Sequence, residues 1–391
     1  MRRGAREKRV QPFFTEEKVT MKRTAILATS LLLGCSAARA EAGVNLYGLI
    51  STGILYANNQ NGHSQVQMPN GPMQTPRWGM RGTEELGGGN IAFFTLEGGF
   101  AIDTGTLSQG GRLFGRQAFI GLQSPELGTV TLGRQYDLPA ATLWPYESGT
   151  QFAAFGTHIG DSDNVFNTFR VNNTIAYKSP SYGGFQVSGM LSLGEQPGNF
   201  KSNNAFSFGA SYKAGDLSLG MAYEELNTPN AASNQSGAVV GDYGFSSPFV
   251  TSPTNGAKVN HQRIFGTGGA YQFGKVGTSL LYTNVRFDYL DNTHLTLNNA
   301  EFSLTDYITP NLLLGAAYIF TWGEYQPTGT MPQWHQVNLG ADYFLSKRTD
   351  LFLVGIYQRA AGDAKFAQIY TLAPSSTKSQ VTAVVGMRHK F

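Results

Sequence analysis

The sequence predicts an all-β fold: a transmembrane antiparallel β-barrel of about 16 strands with one long loop folded into its lumen. Three observations predict it. Segments of about ten residues alternate between apolar and polar side chains, as strands with one greasy and one wet face do. The connections between them alternate between tight turns and long loops. Finally, between Arg134 and Lys178 lie roughly thirty residues without sustained periodicity, a length that marks a functional or a disordered connection. This stretch carries Trp144, Phe152, Phe155, Phe166 and Phe169, and disordered segments are poor in aromatics. It therefore reads as a loop packed inward against the barrel wall.

Composition agrees with many strands joined by tight turns: 48 glycines, 18 tyrosines and 26 phenylalanines in 391 residues. After residue 41 no Pro/Ser linker or charge run divides the chain, so residues 41–391 read as one domain. No segment there has the ~18 consecutive apolar residues of a transmembrane helix.

The N-terminus reads as a targeting region. Met21-Lys22-Arg23, an apolar run from Thr24 to Gly34 and Ala38-Arg39-Ala40 form a secretory signal over residues 21–40, with cleavage between Ala40 and Glu41. Residues 1–20 are charged and aperiodic and read as an upstream extension before a start at Met21. Leu32-Leu33-Gly34-Cys35 offers a competing lipoprotein-type box. Cys35 is the one cysteine, so a chain cleaved after Ala40 has no thiol, which suits an oxidising compartment. The formal charge of +3 also belongs to this region. Residues 1–40 hold nine of the 29 basic and three of the 26 acidic residues, leaving 20 against 23. That balance carries no nucleic-acid footprint.

The strands show their faces directly. Phe206, Phe208, Ala210 and Tyr212 alternate with Ser207, Gly209, Ser211 and Lys213. After a turn at Ala214-Gly215-Asp216, Leu217, Leu219, Met221 and Tyr223 alternate with Ser218, Gly220, Ala222 and Glu224. Val337, Leu339, Ala341, Tyr343 and Leu345 oppose Gln336, Asn338, Gly340 and Asp342. A soluble sandwich shares this period. Aromatics near strand ends, such as Tyr271 with Phe273 and Phe320 with Trp322, add the interfacial girdles of a membrane barrel. Closure into a barrel also leaves no unpaired edge in lipid. Tight turns are read at 124–128, 180–184 and 346–349, facing the periplasm. Long connections around 58–75, 138–169, 226–260 and 360–378 lie on the opposite side.

Five stretches together resemble the general diffusion porins, in the trimeric form of β-proteobacterial outer membranes. They are Leu46-Tyr47-Gly48, residues 77–89 from Arg77-Trp78-Gly79-Met80-Arg81, Phe114-Gly115-Arg116-Gln117-Ala118, Thr131-Leu132-Gly133-Arg134-Gln135-Tyr136-Asp137 and the closing Val385-Gly386-Met387-Arg388-His389-Lys390-Phe391. The resemblance spans Gly43 to Phe391. It implies a sixteen-stranded barrel, a homotrimer, passive diffusion of ions and small hydrophilic solutes, and a third extracellular loop entering the pore. It also implies assembly by the barrel-assembly machinery, for which a terminal Phe391 is the signal, in a membrane of lipid and lipopolysaccharide.

Porins of this type set wall arginines against acids on that loop. The wall positions that match are Arg77, Arg116 and Arg170, with Arg81 and Arg134 nearby. Parity agrees, because Arg77, Gly79 and Arg81 alternate with Trp78 and Met80, and Arg170 shares parity with Asn172 and Thr174. The acids are Glu147 first, then Asp161 and Asp163. Two departures stand out: Leu49 where relatives carry a basic residue, and Pro145-Tyr146-Glu147-Ser148-Gly149 where they have a tighter turn.

Other function classes find less support. His158 sits among serines and acids, but a Ser-His-acid site is recognised by geometry, and no histidine here accompanies a nucleophile motif. No catalytic residue, cofactor or metal site is expected: the mature chain lacks cysteine, and its histidines have no ligand-like spacing. A gated receptor needs about 22 strands and a plug, for which there is no room. A substrate-selective porin with a solute-binding lane stays open as the alternative.

Overall fold

The computed structural model describes residues 43–232, 234, 236–239, 241–245 and 247–391. The expected processing site at Ala40 and Glu41, Cys35 and the segments 1–20 and 21–40 lie outside the described residues. In chain order the strands are β1 (Gly43–Gln60), β2 (His63–Gln67), β3 (Arg77–Gly87), β4 (Asn90–Gly99), β5 (Gln117–Ser124), β6 (Gly128–Gln135), β7 (Val171–Lys178), β8 (Phe185–Ser192) and β9 (Ala205–Ala214). There follow β10 (Leu217–Asn227), β11 (Val259–Phe273), β12 (Val276–Tyr289), β13 (His294–Thr309), β14 (Leu312–Gln326), β15 (Pro332–Phe344), β16 (Thr349–Gly362) and β17 (Ser379–Lys390). All pairings are antiparallel between chain neighbours, and β1 closes the ring by pairing with both β3 and β17. The short β2 folds back on the end of β1, so sixteen strands make the barrel and β2 decorates it.

Burial shows what surrounds the barrel. Ile120, Leu122, Phe206, Phe208, Leu280, Leu339, Leu353 and Val385 are exposed, while Thr283, Asn299, Ser303, Asn338, Gln358 and Gln380 are buried. In water this inversion would be costly; an apolar exterior over a polar interior is the pattern of a transmembrane barrel.

The expected periodicity of short and long connections needs two corrections. Residues 290–293 and 327–331 are short although they stand on the long-loop side, because β12 to β15 run 13–16 residues and form extended hairpins. Strands β5 to β8 have only eight residues each. The interior is also less uniformly polar than the strand faces suggested. Ile264, Val285, Phe287, Leu295, Leu297 and Trp334 form an apolar cluster with Phe249 and Ala364 from the loops.

The chain ends where it closes. The Gly48 N–H donates to Phe391 O at 3.1 Å, and the Phe391 N–H donates to Gly48 O at 3.0 Å. Gly48 is required here, since a Cβ on it would lie 2.4 Å from Phe391 Cζ.

Candidate pore constriction

The loop from Tyr136 to Arg170 is folded by its own sequence before it meets the wall. Asp137 caps the helix α1 (Leu138–Leu143), its Oδ1 accepting the Ala140 N–H at 3.0 Å, with Pro139 in the first turn. The other oxygen, Oδ2, accepts from Asn164 Nδ2 at 2.7 Å, and Asn164 Oδ1 accepts the Phe169 N–H at 2.9 Å. One carboxylate and one amide thus join the two ends of the loop. A 3₁₀ turn at Trp144–Tyr146 and a helical turn, α2 (Ser148–Gln151), follow.

The loop packs on the buried, polar side of β11 to β15. Glu301 Oε1 accepts the Ser148 N–H at 2.6 Å. Asn338 Nδ2 donates to Ser148 Oγ at 3.0 Å and to Gly156 O at 2.7 Å. Ser279 Oγ donates to Tyr146 O at 2.9 Å, and Gln262 Nε2 to Ser162 O at 3.0 Å. Phe152 lies flat against a floor of two glycines: a Cβ on Gly315 would be 2.3 Å from its ring, and one on Gly340 2.7 Å.

Across from this contact, four side chains meet at the long-loop ends of the short strands. Arg77 opens β3, Arg116 precedes β5, Tyr136 follows β6 and Arg170 precedes β7. Arg116 Nε donates to Glu97 Oε1 at 2.7 Å and Nη2 donates to the Tyr136 hydroxyl at 2.6 Å. That hydroxyl donates in turn to Glu97 Oε1 at 3.1 Å, and the Tyr47 hydroxyl to Glu97 Oε2 at 3.0 Å. Arg77 Nε and Arg170 Nη1 find only the carbonyls of Thr75 and Thr168. Among the described residues neither makes a salt bridge. Arg170 Nε is buried with no partner.

Two cavities adjoin here. One, of about 690 Å³, is lined by Arg77, Arg116, Arg170, Trp144, Asp242 and Tyr370. The other, of about 740 Å³, is lined by Gln117, Thr131, Tyr136, Pro145, Gln186 and Lys213. Arg116 and Trp144 line the first, and Tyr136 and Pro145, bonded to them by hydrogen bond and by chain, line the second; the Trp144 and Tyr136 rings lie 6.3 Å apart, edge to face.

The structure thus gathers Arg77, Arg116 and Arg170, with Arg134 adjoining them through the Arg170 carbonyl at 3.3 Å. Arg134 is taken by Asp242 at 2.6 Å and by the Gly115 carbonyl at 2.8 Å, because a bulge after Gly133 turns it under the loop that follows β10. Arg81 stacks on Tyr47, 4.2 Å from the ring centroid, two residues further along the wall than Gly79.

The three loop acids are buried and make no salt bridge to these arginines. Glu147 Oε1 accepts from the Thr157 hydroxyl. Asp161 accepts the N–H groups of Phe166 and Thr168, both at 3.0 Å. Asp163 contacts His158 Nδ1 at 2.6 Å and the hydroxyl of Thr283. Burial pushes the Glu147 carboxyl well above the usual carboxylate range, and burial together with Asp163 raises Asp161 to about 7. Burial also opposes the charge of Asp163, but the facing His158 outweighs it and holds this acid below its ordinary value. Glu147 and Asp161 fold the loop on itself, and Asp163 fastens it to the wall through Thr283 and Asn299; the acids that face the arginines are Glu97 and Asp242, which sequence reasoning missed. Glu97 had a signal, since it alternates with outward Leu96 and Phe94. Asp242, in an aperiodic loop, had none. His158 bonds carboxylates at both ring nitrogens, Asp163 and Glu301, rather than a serine.

Comparison with known proteins follows the fold along nearly its whole length. A family model described as Gram-negative porin matches residues 24–363. An outer-membrane porin of Bordetella pertussis is 32% identical, covering 95% of this chain and 100% of the relative. Outer membrane porin protein 32 of Delftia acidovorans is 26% identical over 94% and 99% of the two chains. Among solved structures, one described as an anion-selective porin from Comamonas acidovorans superposes with a TM-score of 0.73 at 23% identity, covering 90% of this chain and all of the other.

Proposed function

The chain belongs to the Gram-negative porin family, and from that premise we propose that its pore is narrowest between Arg77, Arg116 and Arg170 on the wall and Trp144-Pro145 on the loop, and that it favours anions. The protein is an outer-membrane barrel, a channel rather than an enzyme, through which ions and small hydrophilic solutes diffuse passively. One observation supports the finer reading: Arg77 and Arg170 line the 690 Å³ cavity without a salt-bridge partner, while Glu147, Asp161 and Asp163 are buried in the loop. An excess of positive charge in a narrow, low-dielectric-walled passage concentrates anions.

The remaining expectations complete the reading. The chain is exported with cleavage between Ala40 and Glu41, is inserted by the barrel-assembly machinery through a signal ending at Phe391, and forms a homotrimer among outer-membrane lipids and lipopolysaccharide. The exposed Ile120, Leu122, Leu132 and Ile175 on the short strands β5 to β7 support a wall-to-wall contact. Because apolar wall against apolar wall gains little over lipid, close packing must supply its specificity.

Planar-bilayer recording tests the pore reading. Under a potassium chloride gradient the reversal potential should have the sign of chloride preference, and a cation-preferring or non-conducting protein would overturn it. Gel mobility before and after boiling tests the trimer.

A further inference from the structure

We propose that Glu147, His158 and Glu301 form a binding site for a divalent transition metal of the zinc class, which ties the inward-packed loop to the barrel wall. One potential ligand atom from each residue lies within 4.8 Å of the other two, and all three side chains are buried. His158 Nε2 is 3.1 Å from Glu301 Oε2. Two donors bound at about 2.0–2.1 Å to a tetrahedral zinc sit roughly 3.3 Å apart, so this pair already has the spacing of adjacent ligands. Glu147 offers the third ligand atom, within 4.8 Å of both.

A second observation is independent of that proximity. Glu147 Oε2 is buried with no hydrogen-bond partner, although the other oxygen of the same carboxylate accepts from Thr157. A buried acceptor left vacant is costly, and a cation beside it removes the cost.

The surroundings are those of a metal-bound imidazole. A ligating histidine donates its second ring N–H to a carboxylate that is itself hydrogen-bonded, which fixes the tautomer and aims the free nitrogen. His158 Nδ1 contacts Asp163 Oδ2 at 2.6 Å, and Asn299 Nδ2 donates to the same oxygen at 3.2 Å, alongside the Thr283 hydroxyl. Glu301 is held likewise, its Oε1 taking the Ser148 N–H at 2.6 Å and leaving Oε2 to the site. One imidazole with two carboxylates suits zinc; calcium and magnesium take oxygen ligands alone, and the group has no thiolate to select copper(I). Two carboxylates balance the ion, and His158 gives up a proton to bind it. Glu147 and His158 stand on the loop and Glu301 on β13, so the ion would cross-link two parts of the barrel. The site does not depend on the ion preference proposed above.

The test uses the full barrel extracted from outer membranes in detergent, stripped with a chelator and titrated with zinc chloride. One zinc should bind per chain, and H158Q and E301Q should each weaken it by at least about tenfold, with about tenfold also for D163N through the orientation of the ring. H261Q is the control, because His261 lies 3.2 Å from Glu225 and 3.6 Å from Asp288 in a more exposed group. X-ray absorption on the zinc-loaded parent requires no variant and should show one imidazole nitrogen and carboxylate oxygens at about 2.0–2.2 Å. Failure to bind zinc stoichiometrically, loss of zinc with H261Q instead of H158Q, or a shell of oxygen alone would each overturn the site. Should H158Q not assemble, the absorption spectrum of the parent decides alone.

Discussion

The guanidinium carbon of Arg170 lies 5.4 Å from the centroid of the Tyr136 ring. From another side the same ring takes Arg116, whose Nη2 donates to its hydroxyl at 2.6 Å. Tyr136 therefore brings two arginines together that would otherwise repel each other, offering one its face and the other its oxygen. Cation–π attraction at such a site is worth about 0.5–1 kcal/mol when exposed and more when desolvated. Arg170 is 4% exposed, which puts this contact towards the stronger end.

Arg77 and Arg170 are the charges an ion should feel, because neither is bonded to a carboxylate as Arg116 and Arg134 are. A unit charge at 4 Å is worth about 1 kcal/mol even in water-like surroundings, roughly a fivefold change in a population ratio. Arg77→Ala and Arg170→Ala should each move the reversal potential towards cations by up to about that factor in permeability ratio. The shift should be larger at low salt, where screening is weaker. Reversal potentials measured at two ionic strengths check both statements.

Glu97 has the opposite sign of effect. It accepts from Arg116, Tyr136 and Tyr47, so Glu97→Gln releases Arg116 and should strengthen anion preference. Removing one partner of a buried pair costs about 3–5 kcal/mol, and the midpoint of denaturant unfolding in detergent should fall. An unchanged midpoint with unchanged selectivity would show that Arg116 does not rely on this acid.

How much of this was legible beforehand depended on whether a feature is local. The alternation of Leu339 and Val337 with Asn338 is readable because a strand repeats every two residues. The arginines at 77 and 170 follow from the same rule. The partners of Arg134 could not be read, because a bulge after Gly133 breaks the repeat one residue before it. The surroundings of Glu147, Asp161 and Asp163 could not be read for another reason. An aperiodic loop does not declare which of its sides meets the wall, and the Asp163 partners Thr283 and Asn299 come from strands more than a hundred residues away.

The floor beneath Phe152 offers a way to loosen the loop without cutting it. Gly340→Leu adds a side chain where a Cβ alone would lie 2.7 Å from the ring, an overpacking that costs about 1–3 kcal/mol. The loop should lift from β14 and β15, and single-channel traces should become noisier with a higher mean conductance. Removing residues 146–160 outright should go further and admit larger sugars in liposome-swelling measurements. If both variants conduct like the parent, the loop does not set the width.

Closure can be tested at one atom pair. Gly48→Val drives side-chain atoms into the Phe391 ring, which already lies 2.4 Å from the position of a Cβ. The variant should accumulate as unassembled chain, and the heat-modifiable folded form on gels should fall sharply. The Arg77 carbonyl oxygen stands 2.6 Å from the same position, so Phe391→Ala should not rescue Gly48→Val, whereas Phe391→Ala alone reads the loss of the terminal aromatic itself.

The unequal strands have a consequence for the membrane. Sixteen residues of β13 extend roughly 53 Å along the strand and about 37 Å upright at a 45° tilt, whereas the eight of β7 stand only about 19 Å tall. An outer-membrane barrel carries an apolar band about 25 Å high. On its tall side the wall overshoots that band and rises into the headgroups; on its low side it falls short by roughly 6 Å. Lipid beside β5 to β8 must therefore thin to meet the wall, or give way to another protein surface that has the same slanted rim.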